Sequence, residues 1–329
     1  MKVNEIKKIL AENATWAKKN YGQHFLVDEN ILSEIVEAAD IQSNDVIVEV
    51  GPGLGVLTEK LLEKAGQVFA IEADEFLAGY LEKRFNSNVI ASEREAIYQA
   101  DCHGLRPRND KNLTLIKGDG LKVLDSMEFK KNVLSKNYKF VANIPYSITS
   151  KLLRILLENE YPPTSITCLV QKEVAERIIA KPGSMSLLSL SVQYYGEPKI
   201  IAKVPAGAFW PPPKIESAIL KISNIKHSQA RELPNLEDSS RPASGQTELN
   251  KQDKFRIESG MTEGKQVFRI ARMGFSSKRK TLVNNLVGGL RIAKEEAIDI
   301  IKSVGLNENI RAQELSVEQW QKLANKLPG

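Results

Sequence analysis

The chain has 329 residues, 42% of them hydrophobic and 26% charged, with a formal net charge of +5. That length buries a substantial core in one large or two moderate domains, and the positive balance favours a polyanionic partner such as nucleic acid over an acidic small molecule. Cys102 and Cys168 are the two cysteines and lack CxxC or Cys/His spacing, which excludes a disulfide framework and a zinc site; no run approaches the roughly 20 apolar residues of a membrane span, so a soluble cytoplasmic protein is expected.

The amino-terminal segment is amphipathic and lysine-bearing. From Ile31 to about Leu157, helical periodicity alternates with short β-branched runs. The pattern predicts helix 31–39, strand 46–50, helix 55–64, strand 68–71, helix 75–85, strands 113–116 and 139–142, and helix 149–158. This βαβ order implies a mostly parallel sheet covered on both faces. Strands at 166–171 and 215–222 extend it as an antiparallel edge hairpin, with a helix at 172–180 and an apolar stretch at 187–204 between them. Two segments break the grammar. Residues 91–111 read as an inserted surface excursion with a short helix at 92–99, and residues 224–264, rich in Ser, Pro, Gly, Asn, Gln and charge, read as a flexible linker. Helices are predicted again at 265–273, 277–287, 294–303 and 316–326, with breaks at Gly274, Gly288-Gly289 and Gly305. The expected organisation is therefore a Rossmann-like α/β domain over 1–223, a linker over 224–264 and a small all-helical domain over 265–329.

The strand Val46–Val50 runs into Gly51-Pro52-Gly53-Leu54-Gly55 and then a helix. Glycines let the backbone approach a ligand closely, and the helix N-terminus exposes unpaired amides. A dinucleotide fingerprint needs G-x-G-x-x-G, but Val56 stands at its third glycine; the spacing is G-x-G-x-G, which argues against a cradled pyrophosphate. Glu72 closes the next strand, where a carboxylate accepts from both hydroxyls of a ribose, and Asp119 follows the third strand in position to accept from an adenine amino group. S-adenosylmethionine, with a sulfonium and an amino acid tail in place of a pyrophosphate, fits this pattern.

A second motif, Asn143-Ile144-Pro145-Tyr146, ends an apolar strand. Asn143 Oδ1 and the Ile144 carbonyl can accept the two hydrogens of an exocyclic amine while Tyr146 stacks on the base. Pro145 fixes φ and biases Ile144 toward an extended conformation. The chemistry read from these residues is methyl transfer to an amino group in a base.

At this point the chain resembles a known family, the ribosomal RNA adenine N6,N6-dimethyltransferases that modify small-subunit RNA. The resemblance rests on Tyr21 to Asp28 (YGQHFLVD), Glu49 to Gly55, Ile71-Glu72, Gly118-Asp119, Asn143 to Tyr146, Val170 to Arg177, Val204-Pro205 with Phe209 to Ala218 (FWPPPKIESA), and Phe275 to Leu282 with Asn284 to Leu286. It implies that His24 and Leu26 join Gly51, Gly53, Glu72, Asp119 and Asn143 in holding S-adenosylmethionine, with the segment around Gln23 folding over it. Read alone, His24 is better explained as a structural histidine and Phe25 as core. The resemblance further implies dimethylation of adenosines near the 3′ end of small-subunit ribosomal RNA, an immature small ribosomal subunit as partner, and a monomer. RNA contacts are expected from Lys278, Arg279 and Lys280 and from Lys214, with Lys18, Lys19, Lys172 and Arg177 as further cations, while Phe209 and Trp210 either line the base entrance or pack against the triple proline. The alternatives are a large-subunit RNA adenine methyltransferase of the resistance type and a non-catalytic ribosome assembly factor.

Overall fold

The computed structural model describes residues 1–13, 16, 23–85, 88–90, 112–226 and 263–327. The predicted insertion at 91–111, most of the 224–264 linker, and Lys18, Lys19, Tyr21 and Gly22 lie outside the described residues. Contacts divide the chain into one unit of Met1–Ile179 with Tyr195–Ser228 and a second of Ala180–Tyr194 with Gln229–Gly329.

The first unit is built on an eight-stranded sheet. Its strands are β2 (Val46–Val50), β3 (Gln67–Glu72), β4 (Asn88–Ile90), β5 (Leu113–Lys117), β6 (Tyr138–Asn143), β7 (Ser165–Gln171), β8 (Glu197–Val204) and β10 (Ser217–Ser223), ordered β4-β5-β3-β2-β6-β7-β10-β8. The first six in that order are mutually parallel, and β10 runs antiparallel to both neighbours. Two short strands, β1 (Phe25–Leu26) and β9 (Phe209–Trp210), pair apart from it. The parallel strands read as continuous apolar runs because helices cover both faces. One face packs on α2 (Glu29–Ala39), α3 (Val56–Leu62) and α4 (Glu75–Phe85), with Ile35, Leu61 and Leu81 fully buried against Ile47, Val68 and Leu115. The helices α5 (Gly120–Asp125) and α6 (Met127–Asn132) follow β5, α7 (Thr149–Leu157) follows β6, and α8 (Lys172–Ile178) follows β7. The amphipathic start forms α1 (Val3–Glu12), which buries Ile6 and Leu10 against Phe25, Leu54 and Leu77.

The sheet departs from the expected order at its edge. Strands β7 and β10 do pair antiparallel, Ala218 opposite Val170, but they are not the edge: β8 lies outside them. The apolar stretch at 187–204 is two elements, a helix over Leu187–Tyr195 and β8, split at Gly196. A Cβ there would stand 2.8 Å from Ile222 and 3.1 Å from the Ser223 carbonyl, so only glycine allows this close approach to β10.

The second unit is helical, with α9 (Leu187–Tyr195), α10 (Glu263–Gly274), α11 (Leu282–Leu290), α12 (Lys294–Ser303) and α13 (Val317–Lys326). Residues 180–194, assigned by sequence to the α/β domain, belong here. Tyr194 packs edge-on against Phe268 at 5.3 Å, and the amides of Gly183 and Met185 both donate to the Gln313 carbonyl. The helix predicted over 277–287 begins at Leu282, because Thr281 caps it by accepting from the Asn284 amide. Residues 277–280 form a turn instead. No helix among the described residues is long and apolar enough to cross a membrane.

Candidate active site

A pocket opens at the carboxyl ends of β2, β3, β5 and β6, and the sheet order sets what lines it. Reading β5-β3-β2-β6 across the sheet, the strand ends deliver Asp119, Glu72, the Gly51–Gly55 turn and Asn143 in that sequence. Strands are spaced roughly 4.8 Å apart, so the four groups span about 14 Å along one edge. The β2–β6 boundary is also where successive connections depart in opposite directions, the usual place for a ligand in an open sheet.

Gly51, Gly53 and Gly55 have φ of 72°, 62° and 78°, a region that favours glycine. At Gly55 space forbids a side chain as well: a Cβ would come within 2.6 Å of both Leu81 and Phe85. The Gly53 amide donates to Glu72 Oε2 at 3.0 Å and the Asp74 amide to Oε1 at 2.8 Å. Each carboxylate oxygen therefore has a backbone donor and further acceptor capacity toward the pocket. Burial pushes Glu72 up to about 7, opposed by those same amides. Asp119 Oδ1 caps α5 by accepting from Leu121 and Lys122, and no described protein donor takes Oδ2.

The amide of Asn143 has an assigned direction. Its side chain lies 3.2 Å from the His24 carbonyl, an atom that only accepts, so Nδ2 occupies that contact and Oδ1 remains for a ligand. The buried Ile144 amide donates to the Leu169 carbonyl at 3.4 Å, and no described donor takes its own carbonyl. Tyr146 is half-buried, its hydroxyl 2.6 Å from Ser217 Oγ and its ring stacked with His24 at 5.8 Å and 24°. Burial raises the Tyr146 phenol above its ordinary range. His24 Nδ1 lies 2.7 Å from the Pro211 carbonyl and so donates to it, leaving Nε2 as the other ring nitrogen. His24 thus satisfies the structural reading of a lone histidine while also lining the pocket, as does Leu26.

The structure gathers His24, Leu26, Gly51, Gly53, Glu72, Asp119, Asn143, Ile144, Pro145 and Tyr146 on this one pocket. It removes Phe209. That side chain is 2% exposed within the core around Ile219 and Val204, and its strand pairs with Leu26. Exposing it to a base would forfeit roughly 1.5–3 kcal/mol of burial. Trp210 packs beside α1 with Lys7 over its ring at 5.9 Å. Lys172 is taken by Glu216 at 2.6 Å, whereas Lys214 and Arg177 are exposed. Lys278, Arg279 and Lys280 are exposed in the turn of the helical unit and line no part of this pocket.

Two residues escaped the sequence reading. Glu49, 1% exposed, reaches the pocket from inside β2; Thr58 Oγ1 donates to it at 2.7 Å, and burial pushes it up to about 8 with the neighbouring Glu72 charge adding. A carboxylate inside the run Val-Ile-Val-Glu-Val was the available signal, since a buried parallel strand tolerates one only with a task or a partner. Ser217 had no local signal: its partner is 71 residues away.

Comparison with known proteins follows the same lines. A family described as ribosomal RNA adenine dimethylase matches residues 14–239. The chain is 38% identical over 313 residues to the ribosomal RNA small subunit methyltransferase A of Dehalococcoides mccartyi (strain BAV1), covering 95% of this chain and 89% of that one. It is 35% identical over 327 residues to the protein of that name from Shouchella clausii, covering 97% and 92%. Among solved structures it resembles a dimethyladenosine transferase from Plasmodium falciparum, with TM-score 0.63 and 24% identity over 91% of this chain and 96% of that one. The 23S rRNA methyltransferase ErmE gives TM-score 0.59 at 21% identity, with 92% and 99% covered. These two likenesses show the class I methyltransferase fold.

Proposed function

The chain belongs to the ribosomal RNA adenine dimethylase family, and we propose that its pocket transfers methyl groups from S-adenosylmethionine to the N6 amine of adenosines near the 3′ end of small-subunit ribosomal RNA. It is an S-adenosylmethionine-dependent rRNA adenine-N6,N6-dimethyltransferase. The observation that carries the residue assignment is the linear order of Asp119, Glu72, glycine turn and Asn143 along one sheet edge.

The pocket suits the cofactor chemically. Asp119 Oδ2 accepts from the adenine amine, Glu72 from the ribose hydroxyls, and the backbone of the Gly51–Gly53 turn leaves room for the amino acid end, with Glu49 as a second buried carboxylate facing a cationic ligand. When bound, S-adenosylmethionine supplies an electrophilic methyl group on a sulfonium. His24 and Leu26 close the pocket from the amino-terminal side.

The adenine N6 lone pair is delocalised into the ring, so the amine is a poor nucleophile. Asn143 Oδ1 and the Ile144 carbonyl accept its two hydrogens and favour a more tetrahedral nitrogen. Tyr146 stacks on the base, flipped out or presented from a loop, and holds N6 in line for attack. Positioning is the main contribution: the N–CH3 bond would form as the S–CH3 bond breaks with its electron pair staying on sulfur, and the proton of the methylated nitrogen would pass to solvent water after transfer. After one methylation a single amine hydrogen remains for these acceptors, and the second transfer follows with fresh cofactor.

Lys278, Arg279 and Lys280 take RNA phosphates, with Lys214 and Arg177 as further cations; such contacts give affinity and salt dependence, while target choice comes from RNA shape. The immature small subunit as substrate, the monomeric state and a cytoplasmic location complete the proposal. The test is nucleoside mass spectrometry on small-subunit particles from cells lacking this gene, incubated with the protein and labelled S-adenosylmethionine. Labelled N6,N6-dimethyladenosine is expected. Label only on naked large-subunit RNA would move the assignment to the resistance type, and none on either to an assembly factor.

A further inference from the structure

We infer that Ser217 is a positioning residue for methyl transfer, fixing the ring of Tyr146 through the hydrogen bond between their hydroxyls. The inference rests on the reading of Tyr146 as the platform for the target base.

Ser217 opens β10 and is fully buried, followed by Ala218, Ile219 and Leu220, all fully buried too. A hydroxyl in such a setting costs free energy unless it is paired, and among the described residues its one side-chain partner is the Tyr146 hydroxyl, 2.6 Å away. The serine itself cannot drift. Its backbone lies in ladders on both sides, opposite Gln171 on β7 and Val204 on β8. The preceding residue, Glu216, pairs with Lys172 at 2.6 Å, which ties down the start of the strand.

Tyr146 has the opposite character. It sits in the short 3-10 turn Tyr146–Ile148 between β6 and α7, half-buried and lining the pocket. A half-buried ring on a turn can tilt about χ1, and that tilt moves the phenolic oxygen, the atom farthest from the backbone, by the largest amount. A hydrogen bond at that tip to a fixed point in the sheet restrains tilt most effectively. The flip of the ring about χ2 leaves the oxygen in place and is not resisted. His24, stacked at 5.8 Å with its Nδ1 bonded to the Pro211 carbonyl, limits the ring from another side. The bond therefore fixes the long axis of the ring while the stacked His24 limits its rotation, so together they place the surface on which a base would rest, and the bond acts on the approach of N6 rather than on the cofactor.

The test is steady-state kinetics of Ser217→Ala, Tyr146→Phe and the double variant, with Ser217→Thr as the conservative control, alongside direct calorimetric titration of S-adenosylmethionine. Loss of one neutral hydrogen bond predicts a fall in kcat of about three- to tenfold in Ser217→Ala and in Tyr146→Phe, with cofactor affinity unchanged. The double variant should be no slower than either single one, and Ser217→Thr should recover most of the rate. Wild-type kcat in Ser217→Ala, or multiplicative losses in the double variant, overturns the inference while leaving the enzyme assignment intact. Should Ser217→Ala fold poorly, Tyr146→Phe removes the same bond from the half-buried end, and wild-type kcat there is equally fatal. A wild-type protein that transfers no methyl group to any RNA overturns the functional reading and this inference with it.

Discussion

Asn143 and Asn285 are two amides in two different units, and the way each spends its hydrogen bonds separates chemistry from scaffold. Asn285, 4% exposed, donates from Nδ2 to the Gly274 carbonyl at 2.6 Å and the Ser277 carbonyl at 3.0 Å, and accepts at Oδ1 from Ser276 Oγ at 3.3 Å. Three of its four capacities are used, all on the turn that carries Lys278, Arg279 and Lys280. Asn143 uses one amide hydrogen on the His24 carbonyl and holds Oδ1 toward the pocket. A saturated amide stabilises its surroundings, whereas an unsaturated one in a pocket keeps capacity for a ligand. The same contrast runs through the cations: Lys172 is spent on Glu216, and the three residues of the turn are exposed.

Four measurements sharpen or break this contrast. The largest effect is expected from Asn143→Ala, which should lower kcat by about a hundredfold or more while RNA affinity and melting stay near wild type. Retained turnover on a defined RNA would return Asn143 to the scaffold class. Next, alanine at Lys278, Arg279 and Lys280 together should weaken RNA binding by about tenfold or more and flatten its salt dependence by about one unit of slope for each phosphate no longer neutralised. Filter binding across a salt series reads this, and an unchanged slope would mean that the turn does not touch phosphate. Asn285→Ala should leave two carbonyls of the turn unpaired and cost about 1–3 kcal/mol in urea unfolding of the helical unit. If it instead lowers kcat with stability intact, the saturated amide is not mere scaffold.

The smallest effect is a pH dependence set by Glu49 and Glu72. Both carboxyls are raised by burial, to about 8 and about 7, so the ligand-free fold favours their protonated forms. Their contribution to stability is fully present below the ordinary carboxylate value of 4.5 and is lost as pH rises through about 7 and 8. A cationic ligand prefers the ionised pair, so the rise in melting temperature caused by S-adenosylmethionine should grow from about pH 6 to about pH 8.5. Glu49→Gln should flatten the ligand-free decline, and a decline as steep as wild type would assign the linkage elsewhere.

Elements with short-range signals were legible in the sequence. The strands Val46–Val50 and Tyr138–Asn143, the helix Lys294–Ser303 and the glycine turn fall where periodicity and spacing put them, because apolar repeat and backbone restriction act over a few residues. Features decided by pairing partners were not. The antiparallel partner of β7 was read correctly, yet β8 took the edge, because strand order depends on residues far apart in sequence. Beside a triple proline Phe209 suits either the base entrance or packing, and only the tertiary structure, which buries it, decides between them. Residues 180–194 joined the helices that follow the linker rather than the sheet that precedes it.

By itself, then, the sequence determined the chemistry available at each strand end: glycines free to take positive φ at 51, 53 and 55, carboxylates at 72 and 119, and an amide, a carbonyl and a ring at 143–146. Only the tertiary structure decided that these ends stand in line along one edge, which way the Asn143 amide faces, and that Ser217 meets Tyr146. The physical reason is one of range. Residue type and local dihedrals are set within a turn, whereas register, strand order and the direction of a buried hydrogen bond are set by whichever distant backbone satisfies it.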